Sequence, residues 1–122
     1  MDKACPFCVD PSPVLENELA LARHDKFPVS VGHLLIIPKR HVADFFHLTG
    51  EERLAVFALL DESRQMLKSM YDPDGFNVGI NVGAAAGQTV WHAHVHLIPR
   101  YAGDMEDPRG GVRGVIPAKR RY

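Results

Sequence analysis

Three of the seven histidines of this chain fall within five residues, as His92, His94 and His96. Successive side chains of a β-strand point to opposite faces, so a strand over this segment would place all three imidazoles on one face. Neighbouring imidazoles would then lie about 6.6 Å apart and the outer pair about 13 Å apart. One metal ion could bridge two adjacent members of this row, but not all three. We expect the interleaved residues on the opposite face, against the core: Trp91, Ala93, Val95 and Leu97.

A row of histidines of this kind has three interpretations. It can be a polar strand face, although histidine is a poor residue for covering a surface. It can be a zinc hydrolase site, in which a metal ion activates water. It can also be a site in which the middle histidine acts as a nucleophile, while its neighbours orient it and meet the charge of the substrate.

The loop before the row favours a nucleophile. Residues Gly83 to Gly87 are small and flexible, and they deliver Gln88 and Thr89 beside the histidines. Backbone amides freed by such a loop, together with a glutamine amide and a threonine hydroxyl, form a cradle for phosphate. Imidazole is largely neutral at pH 7 and is a good attacking group for phosphorus, and the phosphoramidate that it forms is labile to water.

The two cysteines, Cys5 and Cys8, form a second group with chemical potential. Their Cys-Pro-x-Cys order resembles the redox pair of glutaredoxins, but that pair follows a strand, and only four residues precede this one. Inert surface or core thiols are another possibility. A gap of two residues also suits two thiolates on one tetrahedral zinc ion, and two imidazoles would complete a closed Cys₂His₂ site.

Length and composition indicate one globular domain. The chain has 122 residues, of which 46% are hydrophobic and 24% charged, so disordered and collagen-like classes are excluded. The 14 basic and 15 acidic residues give a net charge of −1, which argues against a protein that binds duplex DNA. No apolar run approaches the roughly 20 residues of a membrane span, and the N-terminus lacks a signal-peptide core. We therefore predict a cytoplasmic protein without membrane contact.

One long helix and several strands must position these residues. The segment Thr49-Gly50-Glu51-Glu52 has the spacing of a capping box, which predicts a helix that begins there and ends before Asp72. Apolar residues follow it at broadly helical spacing: Leu54, Phe57, Leu60, Leu67 and Met70. Strands are predicted at residues 14–21, 33–37, 76–82 and 90–98. A long helix amid antiparallel strands predicts an α+β domain.

The histidine segment resembles a known signature. Residues 92–98, His-Ala-His-Val-His-Leu-Ile, match the His-φ-His-φ-His-φ-φ pattern of the histidine triad (HIT) family, in which φ is apolar. Residues 32–41 resemble the earlier strand and turn of that family, and residues 87–90 resemble its phosphate loop. The agreement runs from about Cys5 to Arg100, with the motifs in the same order. The resemblance implies a HIT-like antiparallel sheet with one long helix, continued across a two-fold homodimer.

The same resemblance implies a function and a role for each residue. His94 would attack the α-phosphorus of a dinucleoside polyphosphate or a nucleoside phosphoramidate, and water would release a nucleoside monophosphate from the nucleotidyl-histidine. His92, His96 and Gln88 would complete the catalytic set. The substrate-binding residues would be Asp25, Asn81, Gly87, Gln88, Thr89, Val90 and His96. The alternatives are a turn-forming residue for Asp25 and an outward strand residue for Asn81, and His33 either supports the triad from behind or starts a strand. We expect Phe7 or Leu15 in the pocket for the base.

Some branches of the family, like the related uridylyltransferase, also contain the cysteine pair. By this resemblance, a structural zinc ion would be held by Cys5, Cys8, His41 and His92, with His47 as the alternative to His41. No coordination position would remain for substrate. Whether Mg²⁺ accompanies the substrate phosphates stays open, because no acidic pair in the sequence demands it.

We accordingly predict a histidine triad domain at residues 1–101 and an extended C-terminal arm at residues 102–122. The arm is rich in glycine and proline and has a net charge of +2, from five basic and three acidic residues. The alternative to a hydrolase or transferase is a nucleotide-binding module with little turnover that acts through its dimer surface or its arm. The arm could then offer Arg109 or Arg113 to a phosphate or a partner.

Overall fold

One antiparallel sheet organises the chain. The computed structural model describes residues 4–122, so the first three residues of the predicted domain lie outside the described part. The strands are β1 (Leu15–Glu16), β2 (Ala20–His24), β3 (Leu34–Pro38), β4 (Gly75–Ile80) and β5 (Val95–Arg100), and the helices are α1 (Pro6–Val9) and α2 (Gly50–Tyr71). The order across the sheet is β1-β2-β3-β5-β4, and all neighbouring strands are antiparallel. The predicted α+β class with one long helix is therefore confirmed.

The predicted capping box begins helix α2. The Thr49 hydroxyl accepts a hydrogen bond from the Glu52 amide at 3.1 Å, and the Glu52 carboxylate accepts one from the Thr49 amide at 2.8 Å. At the other end Asp72 adopts a left-handed conformation, and Pro73 cannot continue the helix. Both predicted ends are confirmed. Among the described residues, no helix combines the length and the apolar character that a membrane crossing requires.

The apolar series predicted for α2 coincides only in part with the stripe that meets the sheet, since Leu67 belongs to both and Leu60 packs against the core. The buried positions recur every three or four residues, as one helix face requires: Val56, Leu59, Ser63 and Leu67. Of the predicted series, Leu54 and Met70 are 73% and 58% exposed. Apolar side chains occupy two faces of α2, and only contact with the sheet decides which face is buried.

The predicted first strand, residues 14–21, is wrong in its middle, because β1 and β2 pair there as a tight hairpin. Asn17 makes the reversal, since its side-chain Oδ1 accepts the amides of Leu19 and Ala20. Asparagine favours such turns because its short side chain can hydrogen-bond the backbone just ahead of it.

The predicted last strand, residues 90–98, begins later than expected. Strand β5 starts at Val95, so only the last histidine of the row, His96, lies in it. Ala93, Val95 and Leu97 are buried in the core as predicted. Trp91 is 50% exposed, so the prediction that it meets the core is wrong. The two-residue alternation does not extend back to Trp91 because the chain is a loop there.

The two faces of the sheet are covered differently. Alternate strand residues such as Ile36 pack against Leu59 and its neighbours on α2. On the opposite face, Phe7 of α1 packs on Leu35 in a smaller cluster. His96 lies directly across from Leu35 in the β3–β5 register, and opposed residues share a face. The sheet therefore presents its functional side chains on the face that α2 does not cover.

Residues 102–122 fold back against the sheet. They contain two short 3₁₀ helices, at Gly111–Val115 and Pro117–Lys119, and the first contacts β4. The start of the segment is anchored by a bidentate ion pair between Arg100 and Asp104. These turns differ from the extended conformation that the glycine and proline content suggested. A domain boundary at residue 101 stays a prediction.

Candidate functional site

A cleft of about 830 Å³ opens on the sheet face that α2 leaves uncovered. The predicted substrate-binding residues that line it are Asp25, Asn81, Gly87, Thr89, Val90 and His96. The predicted nucleophile His94 lines it too, as does Phe7, one of the two residues expected beside the base. Leu15, the other one, packs into the core on the helix side. The fold therefore gathers most of the predicted site from several separate segments.

The ring of His94 is held in one tautomer. Its Nδ1 lies 2.8 Å from the backbone carbonyl oxygen of His92, and a carbonyl can only accept, so Nδ1 carries the proton. Its Nε2 therefore bears a free lone pair. Burial lowers the pKa of His94, which keeps the ring neutral near pH 7. The Phe7 ring packs edge-on against it at 5.2 Å between centroids and restricts its rotation. This arrangement presents a neutral imidazole nitrogen to the cleft.

His96 is held in the opposite tautomer by a chain of hydrogen bonds. The Val29 amide donates to His33 Nδ1 at 3.0 Å, so the proton of His33 is on Nε2. That Nε2 lies 3.0 Å from His96 Nδ1 and donates to it. The proton of His96 is consequently on Nε2, where it can be donated to a phosphate oxygen. Burial lowers the pKa values of both His33 and His96, so the chain is neutral near pH 7. His33 thus lies behind the triad histidines, which agrees with the prediction that it supports them.

Asp25 serves its turn and also reaches the histidines. Its Oδ1 accepts the Phe27 amide at 2.8 Å, and its Oδ2 lies 3.4 Å from His33 Nε2 and 3.9 Å from His96 Nδ1. The three side chains also offer potential metal ligand atoms within 4.8 Å of one another. Because the Val29 amide keeps the proton on His33 Nε2, that nitrogen acts as a hydrogen-bond donor and has no lone pair for a metal ion.

Gln88 is placed differently from the prediction. Its Oε1 accepts the Gly83 amide at 2.9 Å, and its Nε2 donates to the carbonyls of Ala43 at 2.8 Å and Val90 at 3.1 Å. Both amide protons are thereby used, and the residue is buried behind the loop and does not line the cleft. Gln88 therefore braces the loop that carries Thr89 and Val90, and the geometry does not bring its side chain to a phosphate.

His92 turns away from the other two histidines of the row. Its Nδ1 lies 3.5 Å from Cys5 Sγ and 3.6 Å from Cys8 Sγ. His41 completes the group, with its Nδ1 3.4 Å from Cys8 Sγ and 3.2 Å from His92 Nδ1. The prediction that all three histidines share one face is therefore wrong for His92, because the residues before β5 do not follow the strand alternation.

These separations fit one tetrahedral zinc ion. With bonds of about 2.3 Å to sulfur and about 2.05 Å to nitrogen, a tetrahedron separates sulfur from nitrogen by roughly 3.5 Å and the two nitrogens by roughly 3.3 Å. His92 Nε2 lies 2.8 Å from the Pro38 carbonyl and donates to it, which leaves Nδ1 deprotonated for a metal. Burial raises the pKa of the Cys5 thiol, and a divalent cation bound there would stabilise its thiolate.

The same geometry bears on two choices left open by the sequence, His41 or His47 as the third ligand and a metal site or a redox pair for the cysteines. His47 is exposed on a 3₁₀ helix at Phe45–His47 and is not part of the cluster, whereas His41 is. Both cysteines are free, and together with the two imidazoles beside them they form a group that could hold a metal ion. A redox pair would not require neighbouring histidines. Residue spacing along the chain could not show that His41 and His92 lie beside the cysteines.

Several residues that line the cleft were missed by the sequence reasoning. They include Arg23 and Phe27 from the β2 end and Gly111, Val112 and Val115 from the C-terminal segment. Arg109 and Arg113, predicted to serve a phosphate or a partner, instead bond within their own segment, to Asp107 and to the carbonyls of Lys119 and Arg120. Nothing local marks Arg23, because an arginine in a strand usually faces solvent.

Curated relatives and solved structures resemble this chain, and two of the relatives are named for an activity. It is 36% identical over 92 residues to an AP-4-A phosphorylase of Mycobacterium tuberculosis. That alignment covers 75% of this chain and 47% of the phosphorylase. It is 38% identical over 80 residues to the asymmetrical bis(5'-nucleosyl)-tetraphosphatase of Schizosaccharomyces pombe, covering 66% of this chain and 44% of that protein. The match therefore covers less than half the length of each of these two relatives.

The structural comparison concerns a zinc-bound histidine triad family protein from Mycobacterium smegmatis. It aligns with a TM-score of 0.77 at 33% identity, covering 85% of this chain and 80% of that one. The profile of the HIT domain matches residues 9–103, which is most of the chain and contains the whole histidine row. The resemblance noted in the sequence is confirmed, and the chain belongs to the HIT domain family.

Proposed function

We propose that this protein is a nucleotidyl hydrolase or transferase in which His94 Nε2 attacks the α-phosphorus of a nucleotide. The observation that carries the proposal is the pair of opposed tautomers in the cleft. His94 offers a lone pair at Nε2, while His96 offers a proton at Nε2. A nucleophile and a donor for the phosphate oxygen therefore stand side by side, with ring centroids 5.1 Å apart.

The reaction runs in two displacements. His94 Nε2 forms a bond to the α-phosphorus, and the bond to the leaving group breaks, with its electron pair staying on that group. The His96 Nε2 proton stabilises the negative charge on the phosphate oxygens. Water then forms a bond to phosphorus and releases one proton to solvent, the bond to His94 Nε2 breaks with its electron pair returning to the ring, and a nucleoside monophosphate is released. The backbone around Thr89 and Val90, held by Gln88, forms the cradle for the phosphate.

The substrate class follows from the relatives. The mycobacterial and yeast proteins are named for dinucleoside tetraphosphates, and we extend that class to this chain, with nucleoside phosphoramidates as the other candidate. Asp25 and Asn81 are proposed to hold the nucleoside. Mg²⁺ has no support and is not part of the proposal. A cytoplasmic location stays a prediction.

A zinc ion is proposed at Cys5, Cys8, His41 and His92, where its role is structural. Its four ligands leave no open position, so it supplies folding stability and no Lewis-acid step. The Zn-bound neighbour supports this assignment.

A homodimer is proposed through the edge of the sheet. Strand β4 is an edge strand, and among the described residues no strand pairs with its second side. The face of α2 that points away from the sheet exposes Leu54 and Phe57, and these side chains would add apolar area to the dimer interface.

The experiment is release of nucleoside monophosphate from diadenosine polyphosphate and from adenosine phosphoramidate. His94→Ala should lower the rate by roughly 10³ or more, because no other group in the site replaces the nucleophile. The control His24→Ala, an exposed histidine on β2 outside the cleft, should retain the wild-type rate. Equal rates for His94→Ala and wild type would contradict the mechanism. Nucleotide binding without any release by wild type would favour the alternative binding module.

A further inference from the structure

Arg23 is a buried cation in the wall of the cleft. Arg23 as a whole is 3% exposed, and its guanidinium carbon lies over the Phe7 ring, 4.9 Å from the ring centroid. Its Nη1 donates to the backbone carbonyl of Asp10. Its Nε has no hydrogen-bond partner among the described residues. The Asp10 carboxylate pairs directly with Lys26 and interacts with Arg23 only electrostatically, so no carboxylate is hydrogen-bonded to Arg23 among the described residues.

A charged group in this state is costly. Buried guanidinium groups are ordinarily paired with a carboxylate or fully hydrogen-bonded, since desolvation of an unpaired charge costs several kcal/mol. A buried guanidinium that lines a ligand cleft and has no hydrogen-bonded carboxylate among the described residues therefore calls for an explanation, and the simplest one is that the ligand supplies an acceptor.

The sheet register places Arg23 relative to the phosphate site. Arg23 on β2 lies opposite Leu35 on β3, and Leu35 lies opposite His96 on β5. Opposed residues share a face, and strands are spaced about 4.8 Å apart, so the Arg23 and His96 backbones are about 10 Å apart across the cleft floor. A nucleotide with its phosphate at His96 would lie across Leu35, and its base would reach Arg23.

We propose that Arg23 recognises the base of the substrate and makes the site prefer guanine over adenine. This inference rests on the proposed function, because it takes the phosphate to lie at His96. Guanine presents two adjacent acceptors, O6 and N7, which match the forked donors of a guanidinium. Adenine presents N7 beside the N6 amino group, a donor that meets the cation unfavourably. The ligand class is thus a guanine nucleotide with its phosphorus at the histidines.

The test is the affinity of the zinc-loaded protein for GMP and for AMP, measured by calorimetry. Wild type should bind GMP about tenfold more tightly than AMP, which corresponds to about 1.4 kcal/mol. Arg23→Met keeps the length of the side chain against Phe7 and should bind GMP no better than AMP. Arg23→Lys keeps the charge but lacks the fork, so it should lose most of the discrimination. The control Arg64→Met, an exposed cation on α2 outside the cleft, should leave the GMP to AMP ratio unchanged.

Each outcome separates this inference from the proposed function. Wild type that binds AMP as tightly as GMP would overturn the role of Arg23 whether or not the variants fold, and so would an unchanged ratio in a folded Arg23→Met. Failure of both nucleotides to bind would overturn the proposed function and this inference together. Selective GMP binding that disappears in Arg23→Met would support the inference even if no substrate is hydrolysed.

Discussion

The Nδ1 of His94 donates to the backbone carbonyl oxygen of His92 at 2.8 Å, while the ring of His92 belongs to the Cys₂His₂ cluster. The residue that sets the tautomer of the proposed nucleophile is therefore itself held by the proposed metal site. Two residues of one chain segment thus connect the proposed metal site to the proposed catalytic site.

Loss of the metal should for this reason affect both stability and turnover. We expect about one zinc ion per chain in the purified protein, measured by elemental analysis. His41→Ala should lose the zinc and lower the free energy of unfolding by roughly 3 kcal/mol or more. The matched variant His47→Ala should keep both, because His47 lies outside the cluster. Full zinc content in His41→Ala would contradict the assigned ligand set.

Removal of His33 should release the tautomer of His96. Without the His33 Nε2 donor, His96 Nδ1 can take up the proton, so the donor toward the phosphate is lost in part of the molecules. We expect His33→Ala to lower kcat by roughly tenfold to a hundredfold. Nitrogen-15 spectra of His96 should change from one tautomer to a mixture, whereas His24→Ala should change neither quantity. A His96 ring that stays protonated on Nε2 in His33→Ala would refute the hydrogen-bond chain.

Acidification should destabilise the first turn of helix α2, because it protonates the Glu52 carboxylate. Hydrogen bonds from the Arg40 guanidinium lower the pKa of Glu52 from its ordinary 4.5 to about 2. The folded state thus prefers the ionised carboxylate, so its stabilisation is fully present above pH 4.5 and is lost as the pH falls from 4.5 toward 2.

Glu52→Gln should accordingly lower the free energy of unfolding by about 1–3 kcal/mol at neutral pH. Urea unfolding measured across pH should show the wild-type and variant curves converging below pH 4.5. Glu51→Gln is the control, because Glu51 is an exposed acidic residue in the same helical turn. A stability difference for Glu52→Gln that stays constant down to pH 2 would exclude this titration as the cause.

The C-terminal segment should detach when Gly110 is replaced. Gly110 has a φ of +88°, and a Cβ atom there would lie 1.9 Å from the carbonyl oxygen of Arg120. Gly110→Ala should therefore expose residues 104–122 to limited proteolysis, while the domain itself stays folded. Gly103→Ala is a close control, since its φ of +85° is similar but its Cβ would meet nothing within 4 Å.

Because Val112 and Val115 line the cleft, detachment of this segment should also weaken binding of a diadenosine polyphosphate more than binding of AMP. Proteolysis of Gly110→Ala at the rate of Gly103→Ala would show that the segment is not held by this close packing.

The sequence by itself determined the chemistry of the site and the local structure around it. The clustered histidines, the Cys-x-x-Cys pair and the capping box at Thr49 depend on residue type and on short spacing, which a single chain displays directly. The four metal ligands proposed from the resemblance, Cys5, Cys8, His41 and His92, are also the four that the structure places together. The α+β class followed from the helical and strand periodicities.

Only the tertiary structure decided what each of these side chains faces. His92 belongs to the metal cluster while His94 and His96 face the cleft, because β5 begins after the first two histidines. Gln88 braces a loop through the distant carbonyl of Ala43, and Arg23 is buried against Phe7. Such contacts join residues far apart in the chain. No local pattern encodes them, because they form only when the sheet and the segments that cover it pack together.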